Sequence, residues 1–235
     1  MPRTRLALLG DMHLKDEASF ALFDDVLEAI DAEEPDRLVI MGDMTNDGAP
    51  ELVEGIAARI DRLSFPTTIV PGNHDLGNVG DYGRLTRFFG DVGSPGPLAR
   101  SFDIGSCRGI VLDTNNTIPD PDQWHGVVEP DNLRAFELEL AEAGRGRPLL
   151  LFAHAGLVGK ESELTLEVSN AADVLERLRG YDLRTAFHGH AHILRLHRWE
   201  GIPFLFVPHL QQVPGYLICS MRDDECDVRY QMVAV

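Results

Sequence analysis

The chain has 235 residues, 44% of them hydrophobic and 25% charged, enough to bury a sizeable apolar core. With 21 Lys and Arg against 38 Asp and Glu, it carries a formal charge of -17 and a pI of about 4.8, which argues against nucleic-acid or anionic-membrane binding, since both need a basic surface. Cys107, Cys219 and Cys226 are an odd, unclustered set, which argues against a disulfide framework and for a reducing, cytoplasmic setting.

Leu6 to Leu9 reads as the first strand, and its apolar run stops at Gly10 and Asp11, too short for a signal-peptide core or a membrane span. Phe20, Phe23, Leu27 and Ile30 then share one helical face, and Pro35 ends that helix before a strand at Leu38 to Met41. A second helix keeps Leu52, Ile56 and Ile60 in register, and Ile69 and Val70 belong to a third strand. Next come an apolar run at Ile110 to Leu112, a helix carrying Leu133, Phe136 and Leu140, a strand at Leu149 to Phe152, and a helix around Val174 to Leu178. After a strand at Thr185 to Phe187, the tail offers segments at Ile193 to Trp199, Ile202 to Val207 and Tyr216 to Met221, read as antiparallel. Alternation of short apolar runs with helix-period stretches is the pattern of an α/β layered fold. The Pro- and Gly-rich stretches GDVGSPGPLA and TIPDPDQWHG separate no halves of different composition, so residues 1–235 are expected to form a single domain.

Five of these strands end in side chains able to bind metal: Asp11 and His13, Asp43, Asn73 and His74, His154, and the run His188, His190, His192. Ligands of open α/β sheets gather at the carboxyl ends of strands, so residues far apart in sequence are expected along one edge. Aspartate, histidine and an amide oxygen without cysteine suit Mn, Fe, Zn or Co. These are too many groups for one tetrahedral ion. Two ions sharing Asp43 is the economical reading, because Asp43 stands on a middle corner with no imidazole beside it. Such a pair would add four positive charges and invert the local field of an acidic chain.

The blocks DMH, GDMTNDG, GNHD, FAHAG and GHAH, in that order from Asp11 to His192, resemble the five signature blocks of the calcineurin-like metallophosphoesterases. The resemblance implies a four-layer αββα sandwich of two mixed β-sheets flanked by helices, with a dinuclear metal centre at one edge. Carried over by position, Asp11, His13, Asp43 and His192 would hold one divalent ion and Asp43, Asn73, His154 and His190 the other, with Mn or Fe favoured over Zn or Co. His74 matches the histidine that contacts the substrate phosphate and the leaving oxygen. The implied reaction is attack on a phosphate ester by hydroxide held between the two ions, with no covalent protein intermediate.

Departures narrow the substrate. GDMTNDG and PGNHD lack both arginines of the protein phosphatases of this superfamily, and Asn46 stands where purple acid phosphatases carry a metal-binding tyrosine. Asn46 also falls where many relatives place an aspartate partner for the histidine that matches His74. The pattern is most similar to bacterial class III cyclic nucleotide and glycerophosphodiester phosphodiesterases, although Ala155 follows His154 where many members have His or Pro. The expected function is hydrolysis of a small phosphodiester or phosphomonoester, with no membrane partner. A noncatalytic protein-binding scaffold of the same fold and an exonuclease are the alternatives. The family pattern gives no role to His188. His125 and His209 lie in loops, His209 in a segment that resembles one near the site of some phosphodiesterases. Arg84 and Arg87 follow GNHD three residues apart and are candidates to grip a phosphate, as are Asn46 and His209. Asp75 reads as a turn residue or a support behind the ligands.

Overall fold

The computed structural model describes residues 4–76, 88, 100–115, 126–159, 168–222 and 225–233. The expectations for Arg84, Arg87 and His125 lie outside the described residues. In chain order the elements are β1 (Thr4–Leu9), α1 (Phe20–Asp31), β2 (Arg37–Ile40), α2 (Pro50–Ile60), β3 (Thr67–Ile69), β4 (Arg100–Ile104), β5 (Cys107–Leu112) and α3 (Pro130–Ala143). They continue with β6 (Pro148–Ala153), α4 (Ala171–Leu178), β7 (Asp182–His188), β8 (Arg195–Trp199), β9 (Ile202–Phe206), β10 (Gly215–Arg222) and β11 (Glu225–Met232). Both α2 and α3 begin with proline, whose missing N–H is harmless in a first helical turn.

One sheet has the order β11-β10-β1-β2-β3 and the other β4-β5-β6-β7-β9-β8. Both are mixed: β1, β2 and β3 run parallel, as do β5, β6, β7 and β9, while β10, β11, β4 and β8 pair antiparallel. The two-residue period of the strands explains the layering. Leu6 and Leu8 turn inward to meet Val39, Met41, Leu150, Phe152 and Phe187 between the sheets. Ala7 and Leu9 turn outward, with Leu38 and Ile40, onto Phe20, Phe23 and Ile56 of the first two helices. On the far side Leu149, Leu151, Ile110 and Leu112 pack against Phe136, Leu140, Val174 and Leu178. Helices, sheet, sheet, helices: these are the four layers, and strands buried on both faces read as continuous apolar runs for that reason.

The tail is less uniform than expected. β9 lies parallel to β7, because the chain first passes outside it to make β8 and then folds back. Ile193 and Leu194 are exposed and outside β8, since the backbone there is turning to carry His190 and His192. Two further strands, β4 and β11, are edge strands whose apolar residues are too few to stand out: in β11 Cys226, Val228 and Tyr230 alternate with Asp227, Arg229 and Gln231. Among the described residues no helix is long and apolar enough to cross a membrane.

Candidate metal centre

The carboxyl ends of β1, β2, β3, β6 and β7 come together at one edge. The segments after β1 and β2 stay paired past the strands, with the Asp11 N–H donating to Gly42 O at 3.2 Å and the His13 N–H to Asp43 O at 2.9 Å. The loops after β6 and β7 are joined in the same way, the Gly189 N–H donating to His154 O at 3.0 Å. Among the described residues seven non-glycines adopt positive φ, and five are Asp11, His13, Asp43, His190 and His192, with φ between 45° and 63°. Asp and His visit this region more readily than most residues, yet each visit is strained and such strain concentrates at functional sites. Gly42 at φ +93° and Gly72, where a Cβ would collide with the backbone N of Asp43, let the second and third corners nest.

Two of the donor groups share Asp43, and a third joins His209 to His13 and His192. Of the two that share Asp43, Asp11, His13, Asp43 and His192 form one, and Asp43, His154 and His190 the other. In the first, His13 Nε2 lies 2.9 Å from His192 Nε2 and 3.5 Å from Asp43 Oδ2, and His192 Nε2 is 3.6 Å from Asp11 Oδ1. In the second, His154 Nε2 lies 3.2 Å from Asp43 Oδ2 and 3.1 Å from Asn73 Oδ1, which is 3.0 Å from His190 Nδ1. Two ligands roughly 2.1 Å from one ion stand roughly 3.0 Å apart at a right angle and 3.4 Å at the tetrahedral angle. The donor spacings match. His154 donates its Nδ1–H to the Met41 carbonyl at 2.7 Å, which fixes the tautomer and turns the Nε2 lone pair inward.

The electrostatics also call for cations. Asp11 is wholly buried, and its Oδ2 has no hydrogen-bond partner, an arrangement costly for a carboxylate unless a positive charge faces it. Burial, with the Asp43 carboxylate adding to it, pushes Asp11 up to about 8. Burial pulls His154 down, but the Asp43 and Asp11 carboxylates together outweigh it and raise that imidazole to about 10. The site thus recruits protons where metal is absent. His13, by contrast, is pushed down to about 4 by burial, which leaves its imidazole neutral and able to offer a lone pair. A set of carboxylates, neutral imidazoles and one amide oxygen therefore fits divalent metal ions.

The other expected residues take distinct places. His74 is half-buried with its ring centroid 4.7 Å from that of His13, and its backbone N–H donates to Asp43 Oδ1 at 2.9 Å. Its Nδ1 is 2.9 Å from the backbone carbonyl of Asn46, not from the amide, and the Asn46 residue is exposed. At position 46 it is the main-chain carbonyl that supplies a partner for His74. His209 stands at the site, its ring stacked on His13 at 4.8 Å and edge-on to His192 at 4.7 Å. The Gln211 N–H donates to His209 Nδ1 at 3.1 Å, which leaves the proton of the neutral ring on Nε2. His188 turns away, donating to the Ala153 carbonyl and stacking on Phe204. Asp75 is buried and accepts N–H bonds from Met44, Thr45 and Gly72, binding the second corner to the third.

Sequence reading missed Gln211, Asp113 and Asn115. The Gln211 amide donates to the Met12 and His13 carbonyls. Asn115 donates to the Pro71 carbonyl at 2.9 Å and to Asp113 Oδ1, steadying the turn that carries Asn73 and His74. The signal for Asn115 was present, because IVLDTN is a further apolar strand with a polar end. Nothing local marks Gln211.

A family model described as Calcineurin-like phosphoesterase matches residues 4–194. A Mycobacterium tuberculosis protein named cAMP/cGMP dual specificity phosphodiesterase is 32% identical over 178 residues, 72% of this chain and 52% of that relative. The chain spans about half to two thirds of the length of the curated relatives it matches. Among solved structures, a dimetal phosphatase from Danio rerio superposes with a TM-score of 0.78 at 14% identity, covering 98% of this chain and 96% of that one. A purple acid phosphatase from yellow lupin gives 0.76 at 16% identity, covering 99% of this chain and 52% of its own. At these identities the superpositions speak to fold.

Proposed function

The chain belongs to the calcineurin-like phosphoesterase family, and from that premise we propose that it hydrolyses a small phosphodiester, such as a cyclic nucleotide, using two divalent ions, Mn or Fe before Zn or Co. The observation that carries the reading is Asp43, whose carboxylate belongs to two donor groups and so suits a bridge between two cations. On this reading Asp11, His13, Asp43 and His192 hold one ion and Asp43, Asn73, His154 and His190 the other. The name of the Mycobacterium tuberculosis relative supports the diester class. We read residues 1–235 as one domain, cytoplasmic in setting. Nucleic acid is a poorer substrate than a small ester for a chain of charge -17.

When bound, two divalent ions supply electrophilic polarisation of the phosphoryl oxygens and lower the pKa of water. The rest falls to the side chains. His74 gives its Nδ1–H to the Asn46 carbonyl, so only the imidazolium form carries a proton on Nε2 to pass to a departing alkoxide. His209 works the opposite way: with Nδ1 accepting from Gln211, its neutral ring offers an Nε2–H, and burial, which pushes it down to about 4, keeps it neutral while it holds a substrate oxygen. Asp75 and Asn115 keep the turn carrying Asn73 and His74 in place.

The test is release of p-nitrophenol from bis(p-nitrophenyl) phosphate and from p-nitrophenyl phosphate by protein reconstituted with Mn, Fe, Co or Zn. Faster turnover of the diester is expected. No release from either ester with any of these metals would leave a noncatalytic scaffold as the better reading, and processive release of mononucleotides from DNA an exonuclease.

A further inference from the structure

Three cysteines belong to the apolar layer between the sheets, and none of them is in a disulfide. Cys107 of β5 and Cys219 of β10 are buried there, and Cys226 of β11 packs against the same apolar cluster while keeping some exposure. The ladder pairs Cys219 with Val228 and Met221 with Cys226, so Cys219 and Cys226 are diagonal neighbours on one face. Their sulfurs are 3.1 Å apart. A disulfide is roughly 2.05 Å long, so closure shortens that gap by about 1 Å. Diagonal Cα atoms stand roughly 7–8 Å apart, at or just beyond the span of a disulfide, so the backbone must yield slightly. β11 can yield, because it is the outermost strand of its sheet and its far side pairs with no other described strand.

We propose that Cys219 and Cys226 form a peroxide-oxidisable dithiol, a modification site that ties the edge strand β11 to β10. Cys226 is the member that an oxidant reaches first, Cys219 being fully buried. Cys219 and Cys226 share an S–H···S contact in which either sulfur can donate; with Cys226 as the acceptor it lowers the Cys226 thiol and raises its partner, and the thiolate is the nucleophile. The neighbouring Asp227 carboxylate and the charge of -17 disfavour anionic oxidants such as glutathione disulfide, so the co-reactant is a small neutral hydroperoxide. Cys226 sulfur attacks one peroxide oxygen, the S–O bond forms as O–O breaks, and the first water leaves with the thiol proton. Cys219 sulfur then attacks Cys226, the S–S bond forms as S–O breaks, and the second water carries off the remaining proton. Two thiols are oxidised by two electrons and one hydrogen peroxide is reduced to two waters.

The experiment treats the whole chain with one equivalent of hydrogen peroxide, alkylates the remaining thiols under denaturing conditions, and maps peptides without reduction. Expected are a mass loss of two hydrogens, a linked Cys219–Cys226 peptide, and an alkylated Cys107. In Cys219→Ser, dimedone should trap a sulfenic acid at Cys226. Three alkylated cysteines after peroxide, a link through Cys107, a link between two chains, or Cys226 sulfinic acid beside a free Cys219 would each overturn the proposal. Wild-type mapping alone decides, so a variant that fails to fold does not shield the claim.

Discussion

A single added methyl group at Gly189 should empty the proposed metal centre. Gly189 has no left-handed φ, so alanine there is acceptable to the backbone and the cost is purely steric. A Cβ would meet Asp11 Oδ2 at 2.7 Å, the Met41 carbonyl oxygen at 3.0 Å and His154 Nδ1 at 3.1 Å. Carbon and oxygen in relaxed contact sit roughly 3.3–3.6 Å apart, so the Asp11 carboxylate must retreat by about 0.6 Å. It cannot swing aside cheaply, being wholly buried with Oδ1 accepting the His190 N–H at 2.8 Å. Coordination distances tolerate about 0.2 Å, so the push is about three times what a ligand can absorb. Gly189→Ala should therefore lower metal affinity about 10- to 100-fold, the range seen when supporting contacts of ligands are lost. Overpacking should cost about 1–3 kcal/mol, or about 2–12 °C in Tm for a domain of this size. Gly201→Ala is the control: φ is +86° and nothing lies within 4 Å, so it strains only the backbone. The assay is metal content per chain after dialysis against graded manganese, with calorimetry alongside. Wild-type affinity in Gly189→Ala, or equal metal loss in Gly201→Ala, would refute the reasoning.

Other expectations concern roles rather than packing. His74→Ala should keep both metals and lower kcat by about 10²- to 10⁴-fold, whereas Asp43→Ala should lose metal; equal metal loss in both variants counts against the assignment of His74. His209→Ala should raise KM about 10-fold or more with metal content unchanged, as expected when a hydrogen bond to a charged group, worth about 1.5–3 kcal/mol, is removed, and steady-state kinetics beside metal analysis would expose a ligand role instead. Metal-free protein should lose stability as pH rises above about 7, beyond the range in which the lowered imidazoles of His13, His188 and His209 add stability as they shed protons in the unfolded chain. Asp11 is raised from 3.8 to about 8 and His154 from 6.5 to about 10, so the folded state binds these protons more tightly than the unfolded chain. Their contribution is complete below the lower values and is lost as pH climbs through the higher ones. Cations take the place of those protons, so metal-loaded protein should show a flatter profile. A Tm of the chelated protein that increases between about pH 7 and pH 9 would contradict this linkage.

The layers were legible because strands buried on both faces leave continuous apolar runs, and Leu6–Leu9, Leu38–Met41 and Leu149–Phe152 are such runs. The edge strands were not, since β4 and β11 face solvent on one side and spend half their positions on polar residues. The direction of β9 was hidden for another reason: pairing is a property of the connection, and nothing in IPFLF states which neighbour it will find. At the site, candidate donors at strand ends could be read directly, because carboxylate, imidazole and amide at the close of an apolar run are chemically conspicuous, and the structure brings them together. What escaped were contacts made by main-chain atoms. The partner of His74 is a carbonyl, and the tautomer of His209 is set by an amide N–H, so no side chain in the sequence announces either.

Backbone conformation was the least legible feature and bears most on how the site works. A non-glycine held in an unfavourable region costs roughly 1–3 kcal/mol. Five such residues approach the whole net stability of a domain, about 5–15 kcal/mol, even if Asp and His sit at the cheaper end. That strain lies at the proposed ligands, together with two buried carboxylates, Asp11 and Asp43, that repel one another, while the three apolar clusters carry none of the left-handed residues outside the site edge. The layers must therefore be stable enough to hold the edge in a conformation it would not choose. It follows that trimming the core, as in Leu151→Ala, should release the corners before it unfolds the sheets: metal affinity should fall at temperatures where circular dichroism still reports native secondary structure. Simultaneous loss of both signals would mean that the edge is held by its own local hydrogen bonds rather than by the layers behind it.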